Sequence, residues 1–190
     1  LARMNVSATV DLIRRGYYPK GGGYIAARIN PSKPRGFIFR AAGETKAKIE
    51  GTSHASRLPK VASRQAEAAR RSMEEKGYDA SISIEERSEI STGSGITLWS
   101  CYKSGSALGE KGKRAEKVGE EAASAMIKEL SSNATVDKYL ADQLIPYFAL
   151  AEGNSEFTVT ELSMHAKTNI WVTQRFLERK FEVEKKNGLF

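Results

Sequence analysis

The chain has 190 residues, 40% of them hydrophobic and 28% charged, with a formal net charge of +7. That balance belongs to a globular protein able to bury a sizeable core, as one domain or two small ones. The longest uncharged stretch on a helical pattern, Leu144 to Ala151, is far too short to cross a bilayer. The single cysteine, Cys101, excludes an intrachain disulfide and fits a reducing, cytoplasmic setting.

In chain order, Asn5 to Ile13 alternates as a strand does, with Val6, Ala8, Val10 and Leu12 on one face. Residues 16–23 read as a turn-rich connector, and Tyr24 to Ile29 as the partner strand of a hairpin. Asn30 to Pro34 reads as a boundary. Phe37 to Phe39 and Lys46 to Ile49 are expected to be short strands. From Pro59 to Lys76 the pattern turns helical, with Val61, Ala62, Ala66, Ala69 and Met73 as a narrow small-residue stripe and Gly77 as its stop. Ala80 to Ile84 is a strand, Ser91 to Gly95 a loop and Ile96 to Tyr102 a strand. A second long helix is expected over Lys113 to Leu130. A third, N-capped by Thr135, runs from Val136 to about Leu150, its apolar row being Val136, Leu140, Leu144 and Phe148. A β-rich run, Phe157 to Val159, leads to a helix beginning near Ser163 or Met164, and Phe181 to Glu184 closes the chain as a strand. The whole is an α+β protein with mixed strands and no internal repeat.

Charge is uneven along this plan. Residues 1–50 hold ten Lys/Arg against three Asp/Glu, whereas residues 51–190 hold twenty of each. The excess therefore lies in Arg3, Arg14, Arg15, Lys20, Arg28, Lys33, Arg35, Arg40, Lys46 and Lys48. Such a stripe concentrates polyanions, nucleic acid included; a solvated face awaiting an acidic partner is the other reading.

The candidate chemistry centres on His165. The helix starting at Ser163 or Met164 puts its imidazole in a first turn, where backbone N–H groups are unpaired and the dipole favours negative charge. A nucleophilic nitrogen beside a phosphate seat suits attack on a phosphoryl group; a packing or capping histidine is the plain alternative. The other histidine, His54, falls in a loop before Pro59, where capping or exposure is expected, and no ligand spacing around it suggests zinc. Gly21-Gly22-Gly23 fits either a phosphate cradle or a tight turn. Gly112-Lys113 is not a P-loop, because Ala107 stands where glycine is needed and Arg114 replaces Ser/Thr. In the third helix Asp142 lies about 200° round from Leu140, away from the expected apolar row.

Several stretches together carry more than any one alone. They are Arg15-Gly16-Tyr17-Tyr18-Pro19-Lys20-Gly21-Gly22-Gly23, Gly105-Ser106-Ala107-Leu108-Gly109 with Gly112-Lys113 and Ala115-Glu116, Tyr139-Leu140-Ala141-Asp142-Gln143-Leu144, and the block from Phe157-Thr158-Val159 to Thr168-Asn169-Ile170 that holds His165. In this order and spacing they resemble the RNA 3'-terminal phosphate cyclase family of the archaeal type, over essentially all 190 residues. The resemblance is to roughly the C-terminal half of such an enzyme. The chain opens on Leu1-Ala2-Arg3, and the family's N-terminal half, with further ATP-site residues, is expected in cis or as a second chain. An oligomer is compatible with this, and the chain alone is expected not to cyclise RNA ends.

What the resemblance implies can be set out residue by residue. The fold would be a large domain of βαβαββ-type units, incomplete here, with a smaller α/β domain inserted: residues 1–40 and 136–190 in the large domain, 41–135 in the insert. His165 would be the nucleophile. Tyr139, Leu140, Ala141, Asp142 and Gln143 would contact ATP, with a divalent cation, Mg²⁺ or Mn²⁺, of unassigned ligands. The activity would be ATP-dependent conversion of an RNA 3'-phosphate to a 2',3'-cyclic phosphate through a histidyl–AMP and an RNA-adenylate. Two related architectures stand as alternatives. One is a non-catalytic cyclase-like RNA-binding branch that assembles ribosomes and lacks the nucleophilic histidine; the other is an enolpyruvyl transferase, which needs no histidyl adenylate.

Overall fold

A computed structural model describes residues 1–40 and 48–190. Contacts divide the chain into two compact units, one of Leu1–Thr9, Ala27–Gly43 and Ser132–Phe190, the other of Val10–Ala26 and Glu44–Ser131. Two strands, β1 (Ala8–Arg14) and β2 (Tyr24–Ile29), pair as a two-stranded ribbon. The alternation in β1 does not separate a buried from a wet face, since Val10, Leu12 and Ile13 are all exposed.

The second unit is built from β3 (Ile49–Ser56), α1 (Val61–Glu74), β4 (Ala80–Arg87), β5 (Gly93–Ser100), β6 (Lys103–Leu108) and α2 (Ala115–Leu130). The sheet order is β4-β3-β5-β6; β3 and β4 are parallel, joined by α1, and β5 is antiparallel to both β3 and β6. Alternate strand residues face the helices. Ile49, Ile82, Ile96 and Leu98 meet Ala66, Ala69 and Met73 of α1 and Val118, Ala122 and Met126 of α2 in one core. The small-residue stripe of α1 thus lets two helices lie close together. Gly119 of α2 completes the approach, because a Cβ there would overlap the carbonyl oxygen of Gln65. Gln65 itself is a buried polar residue within an otherwise apolar face. It is satisfied by Ser53 Oγ at 3.1 Å and by donating to Ser94 Oγ at 2.9 Å.

The other unit holds α3 (Lys138–Leu150) and α4 (Met164–Phe176). Its extended segments touch by single bridges, Arg35 with Glu152 and Ile38 with Glu156, and Phe37, Phe39, Phe148 and Phe157 form a chain of ring contacts 4.8–6.2 Å apart. Val159 and Phe190 exchange two backbone hydrogen bonds, of 2.8 and 2.9 Å. The mixed sheet, the bridges and the four α-helices among the described residues make the chain an α+β protein.

Several expectations need correction. Phe37 to Phe39 and Phe157 to Val159 make bridges and backbone pairs without extending into strands, and Phe181 to Glu184 is not a strand. β5 begins at Gly93, inside the expected loop, because its glycines pack rather than turn; β6 was not foreseen, since Lys103 to Leu108 lacks the branched residues that mark strands. The strand expected from Lys46 begins at Ile49; Lys46 and Ala47 lie outside the described residues. The cap of α3 is Asp137, which accepts from the backbone N–H of Tyr139 and Leu140 at 2.9 and 2.7 Å. Thr135 is spent elsewhere: its hydroxyl and backbone pair with Thr158 in four hydrogen bonds of 2.8–3.2 Å. With the helix started two residues later, its buried row is Ala141, Leu144, Ile145 and Ala149. Leu140 and Phe148 are half-buried. Asp142 therefore sits on the flank of the packed row rather than opposite it.

Candidate active site

The sequence around His165 folds as its capping pattern dictates. Ser163 is the N-cap of α4; its Oγ accepts from the Ala166 N–H at 3.0 Å, and its carbonyl from the Lys167 N–H at 3.0 Å. Ala166, 1% exposed, pins the first turn to the protein. His165, one residue before it, is exposed, as is Lys167. Neither the Met164 nor the His165 N–H has a hydrogen-bond partner among the described residues, so two donors at the positive end of α4 flank the imidazole.

The α3 segment is brought alongside. Asn169 Nδ2 donates to the backbone carbonyl of Asp142 at 3.0 Å. His165 lies four residues before Asn169, so the two side chains occupy neighbouring places on one side of α4. The five α3 residues divide by burial. Ala141, 1% exposed, has its methyl in the core and Leu140 is half-buried. Tyr139 and Gln143 are exposed, Asp142 is half-exposed, and Lys138 Nζ stands 5.2 Å over the Tyr139 ring. The polar groups this segment can offer a nucleotide are thus Tyr139, Asp142 and Gln143. Among the described residues no three His, Cys, Asp or Glu side chains are grouped to hold a metal ion.

The second unit holds a constellation that sequence reading missed. His54 is not in a loop but in β3, on the sheet face turned away from the helices, where its Nδ1 is 2.9 Å from the Tyr17 hydroxyl and the rings are 5.8 Å apart. Burial, and then the positive charge of Arg15, bring the imidazole pKa down from 6.5 to about 4, while Glu85 opposes the shift. His54 is therefore neutral at pH 7, and the phenol donates to it. Burial likewise raises the Tyr17 hydroxyl above its ordinary value. Arg15 is ion-paired to Glu85 at 3.2 Å, so this member of the basic stripe is answered within the chain, as Lys48 is by Glu50 at 3.1 Å. The room for Tyr17 comes from Gly93, where any Cβ would overlap the phenol ring. No local pattern announces a pair 37 residues apart; an aromatic–glycine face match is the only signal the sequence held.

Gly21 and Gly22 form a turn and not a cradle. Both have positive φ, 65° and 82°; the Gly21 N–H is bonded to the Tyr17 carbonyl at 2.7 Å, and the Gly21 and Gly22 carbonyls accept from Ser91 Oγ and Arg14 Nε. The turn ties the Tyr17 loop to the sheet. Beyond Tyr17, this unit has a cleft of about 950 Å³ between that loop, the start of α1 and the segment leading into α2.

Comparison with known proteins bears on the whole chain. Residues 1–183 match the family described as RNA 3'-terminal phosphate cyclase. Curated proteins of that name are similar to it: from Methanosarcina mazei, 51% identical over all of this chain and 59% of its own length; from Methanosarcina barkeri, 53% identical over all of this chain and 56% of its own; and from Pyrococcus abyssi, 40% identical over 99% of this chain and 56% of its own. The chain thus spans between 56% and 59% of the length of these relatives. A match over 183 of 190 residues, in motif order and at these identities, means that the chain belongs to the RNA 3'-terminal phosphate cyclase family.

Proposed function

We propose that this chain carries the nucleophile and part of the nucleotide site of an ATP-dependent RNA 3'-phosphate cyclase. The observation that carries the reading is the position of His165, exposed in the first turn of α4 beside two unpaired backbone donors and on the side of the helix bonded to the Asp142 turn. The relatives' name supplies the reaction class.

The chemistry follows in three transfers. An unprotonated imidazole nitrogen of His165 attacks the α-phosphorus of ATP; a P–N bond forms, the bond to the bridging oxygen breaks, and pyrophosphate leaves with that electron pair. An oxygen of the RNA 3'-phosphate then attacks the same phosphorus, the P–N bond breaks, and AMP passes to the RNA end. Last, the vicinal 2'-hydroxyl attacks the 3'-phosphorus, gives up its proton, and expels AMP as the 2',3'-cyclic phosphate closes. The first two transfers give a poor electrophile a good leaving group; the third is intramolecular and gains from effective molarity. Only RNA carries the hydroxyl it needs.

In this reading the Met164 and His165 N–H groups, with Lys167, face phosphate oxygens. Tyr139 stacks on the base, and Asp142 and Gln143 take the ribose or base edges. Among the described residues no ligands are grouped for a divalent cation, and no step is assigned to one. We also assign residues 41–135 to an inserted α/β domain and 1–40 and 136–190 to the catalytic domain, and place the reaction in the cytoplasm. No helix among the described residues is long and apolar enough to cross a membrane. The test is incubation with α-labelled ATP and a divalent cation. With the family's N-terminal half supplied, an acid-labile, alkali-stable label on the chain, lost in His165→Asn, is the expected result; an unlabelled chain in that setting, or a labelled variant, would sink the proposal.

A further inference from the structure

The 950 Å³ cleft of the second unit has no part in the chemistry above. Its place in the sheet is informative. Strands β3, β4 and β6 run in one direction and only β5 runs against them, so three carboxyl ends and the starts of both helices gather on one edge. Outside the carboxyl ends of strands is where open α/β sheets receive ligands.

The lining sorts by chemistry. The floor is apolar, with Leu58, Val61, Leu108 and Val118. Two of the lining cations are already committed, Arg64 to Glu116 at 2.8 Å and Lys113 to Glu121 at 2.6 Å. The other two are not: Lys111 has no ion pair among the described residues, and Arg114, 79% exposed, has only a 3.6 Å contact with Glu116. Tyr18 lines the same cleft with 95% of its surface exposed, although the neighbouring Tyr17 is held to His54 and the loop is tied down through Ser91. An aromatic ring presented to solvent from an anchored loop, over an apolar floor and next to uncommitted cations, matches bases and phosphates of an unpaired strand. Among the described lining residues Glu110 is the one carboxylate, against the cations Arg64, Lys111, Lys113 and Arg114, and stacking on Tyr18 favours an RNA strand over an acidic peptide.

We propose that this cleft binds single-stranded RNA, with a base stacked on Tyr18 and backbone phosphates against Lys111 and Arg114. The proposal rests on the reading of the protein as an RNA-end enzyme, and names a second surface that holds its RNA.

The test is fluorescence anisotropy on the 190-residue chain with 3'-phosphorylated RNAs of three and twelve nucleotides, sharing the same 3' sequence. No ATP is present, so the outcome does not depend on whether His165 takes up AMP. The twelve-mer is expected to bind at least about tenfold more tightly than the trimer. Tyr18→Ala should weaken the twelve-mer about tenfold, through the lost stacking, and Lys111→Glu with Arg114→Glu should weaken it further and flatten its salt dependence. All three side chains are exposed, and circular dichroism checks that the variants keep their fold. Equal affinity for the two lengths, or unchanged twelve-mer binding in both variants, overturns the proposal. So does a polyglutamate peptide that competes as well as RNA, since that would make the cleft an indifferent polyanion patch.

Discussion

Asn169 Nδ2 donates to the backbone carbonyl of Asp142 at 3.0 Å, and this bond joins the helix that bears His165 to the segment proposed to hold ATP. A side-chain amide spent on a helical carbonyl fixes the rotation of one helix against the other. Here it does so one turn from the imidazole. Asn169 is thus a positioning residue for the proposed reaction. Asn169→Ala should slow AMP uptake about three- to tenfold at saturating ATP, the loss of roughly 1 kcal/mol of orientation. Asn169→Asp, which cannot donate when ionised, should behave alike, whereas a merely structural role would move the melting temperature and leave the labelling rate alone. Equal labelling rates in wild type and both variants would disconnect this bond from the site.

His165→Ala and His165→Asn should abolish covalent AMP labelling while the fold persists, because the imidazole is exposed and adds nothing to the core. Ser163→Ala tests the same turn more gently. Losing an N-cap costs about 1 kcal/mol and frays the turn that holds the imidazole. Labelling should fall several-fold, with little change in the circular dichroism spectrum. Label persisting in the His165 variants would remove the nucleophile assignment.

Tyr139→Ala and Asp142→Ala should each weaken ATP-dependent labelling about tenfold or more, in line with the loss of contacts worth about 1–3 kcal/mol. Ala141 gives the contrast. Its buried methyl leaves no room for enlargement, so Ala141→Leu should lower the melting temperature instead. Titrating ATP against the rate of labelling separates these outcomes; wild-type titrations for Tyr139→Ala and Asp142→Ala would leave the segment a structural helix alone.

The long helices were legible because each carries a run of small or apolar residues at helical spacing and a recognisable stop or cap. The start of α4 was readable from Ser163 for the same reason. What stayed hidden depends on pairs distant in sequence. Thr135 and Asp137 are both good caps, and only the pairing of Thr135 with Thr158 decides between them. β6 reads as a loop until β5 is beside it. His54 reads as a surface histidine until Tyr17 is laid over Gly93. In the proposed site, the motif order marked the two segments, but nothing local distinguished the buried Ala141 from its exposed neighbours.

Asp137 is 3% exposed and holds two first-turn N–H groups of α3. Asp137→Ala should therefore destabilise the protein by about 1–2 kcal/mol, the upper range for a lost N-cap. Thr135→Val should be destabilising too, through Thr158, but should leave the start of α3 intact. Urea unfolding gives the magnitudes, and hydrogen exchange at Tyr139 and Leu140 separates the two. Faster exchange there in Thr135→Val than in Asp137→Ala would return the cap to Thr135.

The His54–Tyr17 pair makes a pH prediction whose sign is fixed by the direction of its shift. In the folded protein the imidazole pKa is lowered from 6.5 to about 4, so between these values the unfolded chain binds the extra proton and the folded chain does not. Stability contributed by this site is then fully present above pH 6.5, declines as the pH falls, and is exhausted near pH 4. The size is roughly 2–3 kcal/mol over that window. Unfolding in urea at pH 7 and at pH 4.5 measures it, with His54→Gln as the reference. Carboxylates titrate alike in both proteins, so their contribution cancels, and the amide can still accept from the Tyr17 hydroxyl. The wild type should lose more stability than His54→Gln on going to pH 4.5. Parallel losses in the two proteins would show that the imidazole does not titrate against the fold, and that its contact with the Tyr17 hydroxyl survives protonation.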